Sequence, residues 1–444
     1  MTLLASVALL LGGCASYRSE PLEGPSAALA PPDMDIVSAD AAKIDRPFLT
    51  PQPVDWTVPL TPNALAVIAV LENPDLKAER AKVGVADAQA FAARLLPDPQ
   101  VQGNFDKLLS GPDAFNAFGG QLALDLNQLR TAKVTRQNGE ASKRQVRLDL
   151  AWAEWQTAGQ ARLQGVRILA LGRQLALARV SAAASEALFQ QASRAGARGD
   201  ISAAEVDTRR QAALDTADKV RTLDTDLGAA RFELNHLLGL PPVTVVKLAP
   251  PSEPVVAPAP SVLVVQAIGR RLDLQALRSG YDAAEADVHK AILDQFPNLS
   301  LTVAGARDTS DNYTLGPAIG FTLPLWNRNR GGIATATATR GQLKAEYEAR
   351  LFQTRAEITT AATGIETIRR QRAELLAQMP AIRRIADSSA AAARRGDLSQ
   401  ASVSTAEQSL RDRELSLDQL DQQIAEQTIA LELLSGGPSE GWTR

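Results

Sequence analysis

One cysteine in 444 residues, Cys14, excludes an internal disulfide, and with only two histidines, His236 and His289, it leaves no donor set for a zinc cluster. Aromatic residues make up 4% of the chain, too few for a large globular core built on ring anchors. Alanine is abundant instead, which favours long helices packed closely side by side. The net charge of −3 gives no basic footprint, so nucleic acid is excluded as a partner. Past Cys14 no apolar run reaches the ~18 residues of a membrane helix. A chain of this kind crosses a bilayer only through a closed β-barrel. No glycine-rich phosphate loop, Ser-His-Asp set or isolated carboxylate pair stands out, so neither an enzyme nor a cofactor is expected.

The first segment has a clear character. Leu3 to Leu11 is apolar and ends in Leu11-Gly12-Gly13-Cys14, which resembles a bacterial lipobox. Residues 1–13 are then a signal peptide and Cys14 is the lipidated new N-terminus. The alternative is a secretory signal with an incidental cysteine. No Lys or Arg precedes the apolar run, a departure from the usual n-region. Ala15 follows the cysteine, which by the lipoprotein rule implies sorting to the outer membrane. Residues 14–59, rich in Pro, Ser, Ala and Asp, are expected to be a tether.

The rest of the chain says nearly the same thing twice. Arg198-Gly199-Asp200-Ile201-Ser202 is echoed by Arg395-Gly396-Asp397-Leu398-Ser399. Val220, Leu223, Leu227, Leu234 and Leu237 are echoed at the same offset by Leu417, Leu420, Ile424, Leu431 and Leu434. The first repeat spans 60–242, a Pro-rich linker 243–260, the second repeat 261–436, and a tail 437–444. Each repeat has short helices, two strand-like stretches (100–109 and 118–127; 299–307 and 314–325) and a proline-poor helical stretch of about 65 residues, roughly 100 Å long. A glycine turn and a further helix follow. Pro380 falls inside the second long helix, where a kink is expected.

Ile358, Ala361, Ile365, Ile368, Arg372, Leu375, Met379 and Ile382 step by three and four, the coiled-coil period. On periodicity alone an antiparallel bundle and a barrel of helices are equally compatible. The strands favour the barrel: four cannot close a sheet, and open edges are forbidden in lipid, so several chains must pool them. Phe105, Phe115, Phe118, Tyr313, Phe321 and Trp326 lie in or beside the strands, as an aromatic girdle would.

The segments NPDLKAER (73–80), LLPDPQV (95–101), RGDISAAEV (198–206), FELNHLLGLPP (232–242), RLDLQALRSGYDAAEADV (271–288), FPNLSL (296–301) and LGPAIGFTLPLWNRNRGG (315–332) together resemble the TolC family of outer-membrane efflux proteins. The resemblance covers about residues 60–436 and rests on the order and duplication of motifs. It implies a mainly α fold with a membrane β-barrel: a homotrimer with a long α-helical barrel and a twelve-stranded β-barrel, four strands per protomer. It implies an exit duct of a tripartite efflux pump, lipid-anchored in the outer membrane of a Gram-negative bacterium. Its partners would be a periplasmic adaptor, an inner-membrane pump of the RND type, and outer-membrane lipid. Arg194, Arg198, Gly199, Asp200 and Ser202, with Arg394, Arg395, Gly396, Asp397 and Ser399, would form the adaptor-binding tips. The alternative for the Asp and Ser residues is helix capping. Some family members ring the pore constriction with aspartates after the second tip. Here Ser402 and Thr405 stand at those places, and the first repeat offers Glu205 and Asp207. Type I protein secretion is a same-class alternative, and a periplasmic adaptor or scaffold lipoprotein is an alternative of another class.

Overall fold

The computed structural model describes residues 17–22, 24–250, 256–439 and 442; the signal segment and Cys14 lie outside the described residues. Two short helices, α1 (Pro25–Ala28) and α2 (Met34–Ala41), come first. The first repeat follows as α3 (Pro62–Glu72), α4 (Pro74–Ala92), β1 (Gln100–Asp106), β2 (Ala117–Asp125), α5 (Leu126–Ala197) and α6 (Ala203–Leu237). The second matches it element for element: α7 (Pro260–Arg270), α8 (Leu272–Leu293), β3 (Leu299–Arg307), β4 (Tyr313–Phe321), α9 (Arg330–Arg394) and α10 (Gln400–Ser435). Helix starts follow the local chemistry. The side chains of Thr61, Asn73, Asp125, Ser202 and Ser399 each accept a first-turn amide, and proline opens α3, α4 and α7.

Helices α5 and α9, of 72 and 65 residues, are the long rods. Toward the sheet they pack against α4 and α8; toward the far end, against α6 and α10. Helix α9 runs through Pro380 as one element, although that residue has no amide to donate.

The shorter helices meet end to end. In the first repeat α6 stops at Gly239, in the left-handed region (φ +65), where a Cβ would lie 2.6 Å from the Glu72 carbonyl. Buried Asn73 spans the joint: its Oδ1 accepts the Leu76 amide and its Nδ2 donates to the Leu237 carbonyl. In the second repeat the matching residue is Arg271, 2% exposed, whose Nη1 donates to the Leu434 carbonyl while Nε and Nη2 hold both Asp273 oxygens at 3.0 and 2.7 Å. Arg271 also stacks 5.0 Å from the Trp152 ring.

Beside these joints lies a belt of buried charge. Glu154, 1% exposed, receives Arg46 and Arg80, and Glu432 receives Arg162 at 2.6 Å. Arg46 belongs to the stretch expected to be a tether, and the structure corrects that expectation from residue 34 onward. Val37, Ala41, Ile44, Leu49 and Val54 are buried in the first repeat's core, and Phe48 meets Trp155 edge-on at 5.0 Å. The spacing of Val37, Ala41 and Ile44 is that of an amphipathic helix, and burial of these side chains outweighs the polar composition around them. Part of the expected 243–260 linker is also tied down: Leu60 and Leu248 form a parallel bridge.

The belt can be tested at two of its acids. Glu154→Ala leaves two arginines without their buried partner and should cost about 3–5 kcal/mol, seen as an earlier loss of helical signal on heating. Asp149 is exposed at the surface, yet its pKa is raised by desolvation and then by Asp273 and Glu79. A raised acid holds its proton more tightly when folded, so stability falls as pH rises from the unfolded value of about 4 through the folded one. Asp149→Asn should therefore stabilise the protein at neutral pH and lose that advantage below about pH 4 in matched urea titrations.

Candidate functional site: the membrane face and the hairpin tips

The four strands form one antiparallel sheet in the order β1-β2-β3-β4, with β1 and β4 at its open edges. The two hairpins are thus already joined within one chain, through β2 and β3. Register sorts the side chains by face. One face carries Val101, Phe105, Phe118, Leu122, Leu124, Leu299, Leu301, Val303, Leu315, Pro317, Ile319 and Phe321, interrupted by glycines and, at the hairpin end, Arg307. The other carries Gln102, Asn104, Gln121, Ser300, Thr302 and Thr314 among alanines and glycines. The apolar face is uncovered: Val101, Leu315 and Ile319 are 80%, 83% and 67% exposed. In water such a face would be a gross liability. In lipid it is the required surface, and the nine residues of β2, β3 and β4 (β1 has seven), tilted by about 45°, match the ~25 Å apolar band of a membrane barrel.

The aromatics divide between the two ends of the strands. Phe105, Phe118 and Tyr313 share one row across the sheet with Arg307, and Phe115 packs on that arginine. Phe321 faces Leu299 at the opposite end, toward Trp326, which is 86% exposed. No helix among the described residues is long and apolar enough to cross a membrane.

At the far end of the rods the two tips have the same construction. Gly199 (φ +77) and Gly396 (φ +82) take the left-handed position. The Asp200 and Asp397 amides reach back to the Ala195 and Ala392 carbonyls, and the glycine amides reach Gly196 and Ala393. These are Schellman caps, in which two of the carbonyls freed at the end of the helix regain an amide. Ser202 and Ser399 cap the next helix through the amides of Glu205 and Ser402. The aspartates do not cap: Arg198 Nε donates to Asp200 at 2.8 Å and Arg395 Nε to Asp397 at 3.0 Å. Arg194 donates to the Gln190 carbonyl, and Arg394 lies in the last turn of α9.

The four expected constriction residues are not equivalent. Ser402 Oγ lies 3.0 Å from Ser399 Oγ, and the Thr405 hydroxyl donates to the Ala401 carbonyl. Asp207 pairs with Arg210 one turn on. Glu205 alone keeps an exposed carboxylate without a partner among the described residues. Thr405 opens into a groove between α5, α6 and α10 that also holds Arg209, Arg411 and Arg413. The sequence alone does not single out these arginines. Arg209 follows the first tip on α6, and Arg411 and Arg413 follow the second on α10; only the packing of α10 beside α5 and α6 gathers them.

Residues 263–437 match the model of the outer membrane efflux protein family. No curated protein matches the chain. Among solved structures, the outer-membrane channel OprN superposes with a TM-score of 0.70 at 19% identity, over 96% of this chain and 99% of that one. The outer membrane protein VceC of Vibrio cholerae gives 0.68 at 16% identity, over 85% and 96%. The open state of the MtrE outer membrane channel of Neisseria gonorrhoeae gives 0.67 at 16% identity, over 84% and 88%. At these identities the likeness is one of fold.

The two faces of the sheet make opposite predictions for one substitution. Val303→Arg, on the apolar face at mid-strand, should cost about 2–4 kcal/mol in the membrane and deplete the folded protein from outer-membrane fractions. Thr302→Arg, its neighbour on the polar face, should fold and insert normally. Equal loss in both would show that the sheet has no lipid face.

Proposed function

We propose that this chain, whose residues 263–437 match the outer membrane efflux protein family, is one protomer of a trimeric exit duct in the outer membrane. The observation that carries the reading is the sheet, with one exposed face that is apolar except for Arg307 at the hairpin end, and with two unpaired edges. Such a sheet is complete only when copies of the chain join edge to edge. Two copies would reach eight strands, a barrel whose interior side chains fill it; three reach twelve and leave a lumen lined by the Gln, Asn, Ser and Thr face. The same threefold closure makes a tube of the long helices, four per chain at the tip end.

Solute passes through this tube without chemistry, and the energy for export comes from an inner-membrane pump, of the RND type in our reading. The tips are the natural contact for a periplasmic adaptor, since they are the parts farthest from the membrane. Gly199 and Gly396 keep each turn tight, and the Arg198-Asp200 and Arg395-Asp397 pairs present polar side chains there. Separation of the hairpins at that end opens the mouth, with Glu205 as the carboxylate best placed to meet the solute. Cys14 would carry the lipid anchor. The scaffold alternative calls for lipoyl-like β-domains, and the four strands described here form a single sheet.

Purified from membranes, the protein should run as a heat-sensitive trimer and form long-lived conducting pores in planar bilayers. A monomer without conductance would overturn the proposal. Arg198→Ala with Arg395→Ala should leave conductance intact and reduce export in cells. Unchanged export would remove the tips from the adaptor contact.

A further inference from the structure

On the apolar face of the sheet there is one charged side chain, Arg307, the last residue of β3. It stands in the aromatic row at the hairpin end, farthest from the helices. Its guanidinium lies 4.4 Å from the centre of the Phe115 ring, 5.7 Å from that of Tyr313 and 5.9 Å from that of Phe118. Its Nε is 2.5 Å from Asp311 Oδ1. Among the described residues the two Nη groups meet no protein acceptor.

The other acids near this end face elsewhere. Asp308 accepts the amides of Ser310 and Asn312, and Asp113 accepts the Thr309 and Ser310 hydroxyls, inside the loops. Asp106 lies on the polar face and takes the Asn104 side chain. The next row below the arginine reads Gly103, Gly120, Gly305 and Leu315. Side chains are missing from three of its four positions; a Cβ at Gly103 or Gly120 would meet nothing nearer than 3.8 Å, while Leu315 closes the row by leaning over Gly305, 3.5 Å from a Cβ there. The row is a shallow trough running across the sheet beneath the arginine.

We propose that Arg307 and this trough form a binding site for a phosphorylated lipid of the outer leaflet. The proposal rests on the reading of the sheet as a membrane barrel. The free Nη fork fits two phosphate oxygens, and the rings hold the guanidinium in place for them. The glycine trough takes the hydrocarbon or sugar just below the phosphate. Arginine on a lipid-facing surface is tolerated at headgroup depth, where phosphates lie. Three copies would place three such sites around the rim.

The test uses the intact trimer in detergent, with bisphosphorylated lipid A, dephosphorylated lipid A and inorganic phosphate as probes. Bisphosphorylated lipid A should raise the dissociation temperature by several degrees, and the other two should not. Arg307→Gln should abolish that shift and keep full conductance. Asp311→Asn, which frees the guanidinium, should enlarge the shift. An equal shift with dephosphorylated lipid A or with inorganic phosphate, or an undiminished shift in Arg307→Gln, overturns the site. If Arg307→Gln does not assemble, Asp311→Asn decides: a reduced or unchanged shift means that Arg307 only fastens the loop. A conducting trimer with no lipid response defeats this inference alone, whereas absence of a trimer or of conductance defeats the membrane reading beneath it.

Discussion

A strand edge with unpaired amides and carbonyls cannot rest in hydrocarbon, and this chain has two, on β1 and β4. Most of the architecture answers to that constraint. On the trimeric reading proposed above, the sheet is finished only between copies, and the helices hanging from it present two flanks, one for each neighbour. Exposed apolar residues on both flanks, such as Val85 and Phe91 on α4 and Phe352 and Ile385 on α9, suit a layer that continues into the next copy.

The duplicated halves solve one problem with different chemistry. Each must butt two helices end to end inside a buried belt, where free carbonyls would be costly. Asn73 does so with an amide that accepts at one helix and donates to the other. Arg271 does so with a guanidinium, which brings a buried charge and therefore requires Asp273 and the Trp152 face around it. The first repeat carries its buried charge on Glu154 instead, and there the second arginine comes from the N-terminal strap. The strap is thus part of the belt's electrostatics as well as of its core.

Local chemistry makes much of this legible in the amino-acid sequence. The alternation over 299–307 and the breaks at Asn73-Pro74 and Leu238-Gly239-Leu240-Pro241 place their elements within a residue or two, because turn and cap preferences act over a few residues. The Arg-Gly-Asp turns mark the ends of the rods for the same reason. What stays hidden is long-range. The pairing of β2 with β3, the docking of Arg46 on Glu154 and the convergence of Arg209 and Arg413 beside Thr405 join residues far apart in the chain. No local pattern encodes such partners. The strap reads as a tether because its proline and serine density masks three apolar residues at helical spacing.

The rods also set a rule of length. From the sheet to the tip, α5 has 72 residues and α9 has 65; the difference sits at the sheet end, where 322–329 precedes α9 as an irregular stretch. Returning to the belt, α6 and α10 have 35 and 36 residues, so the two tips hang nearly level. A seven-residue deletion shortens a helix by about 10.5 Å and keeps its packing stripe. Made in one helix it would strand that tip above its neighbour. For the proposed tube, a change of reach therefore needs matched deletions in all four helices, whereas a change of lining needs only single substitutions.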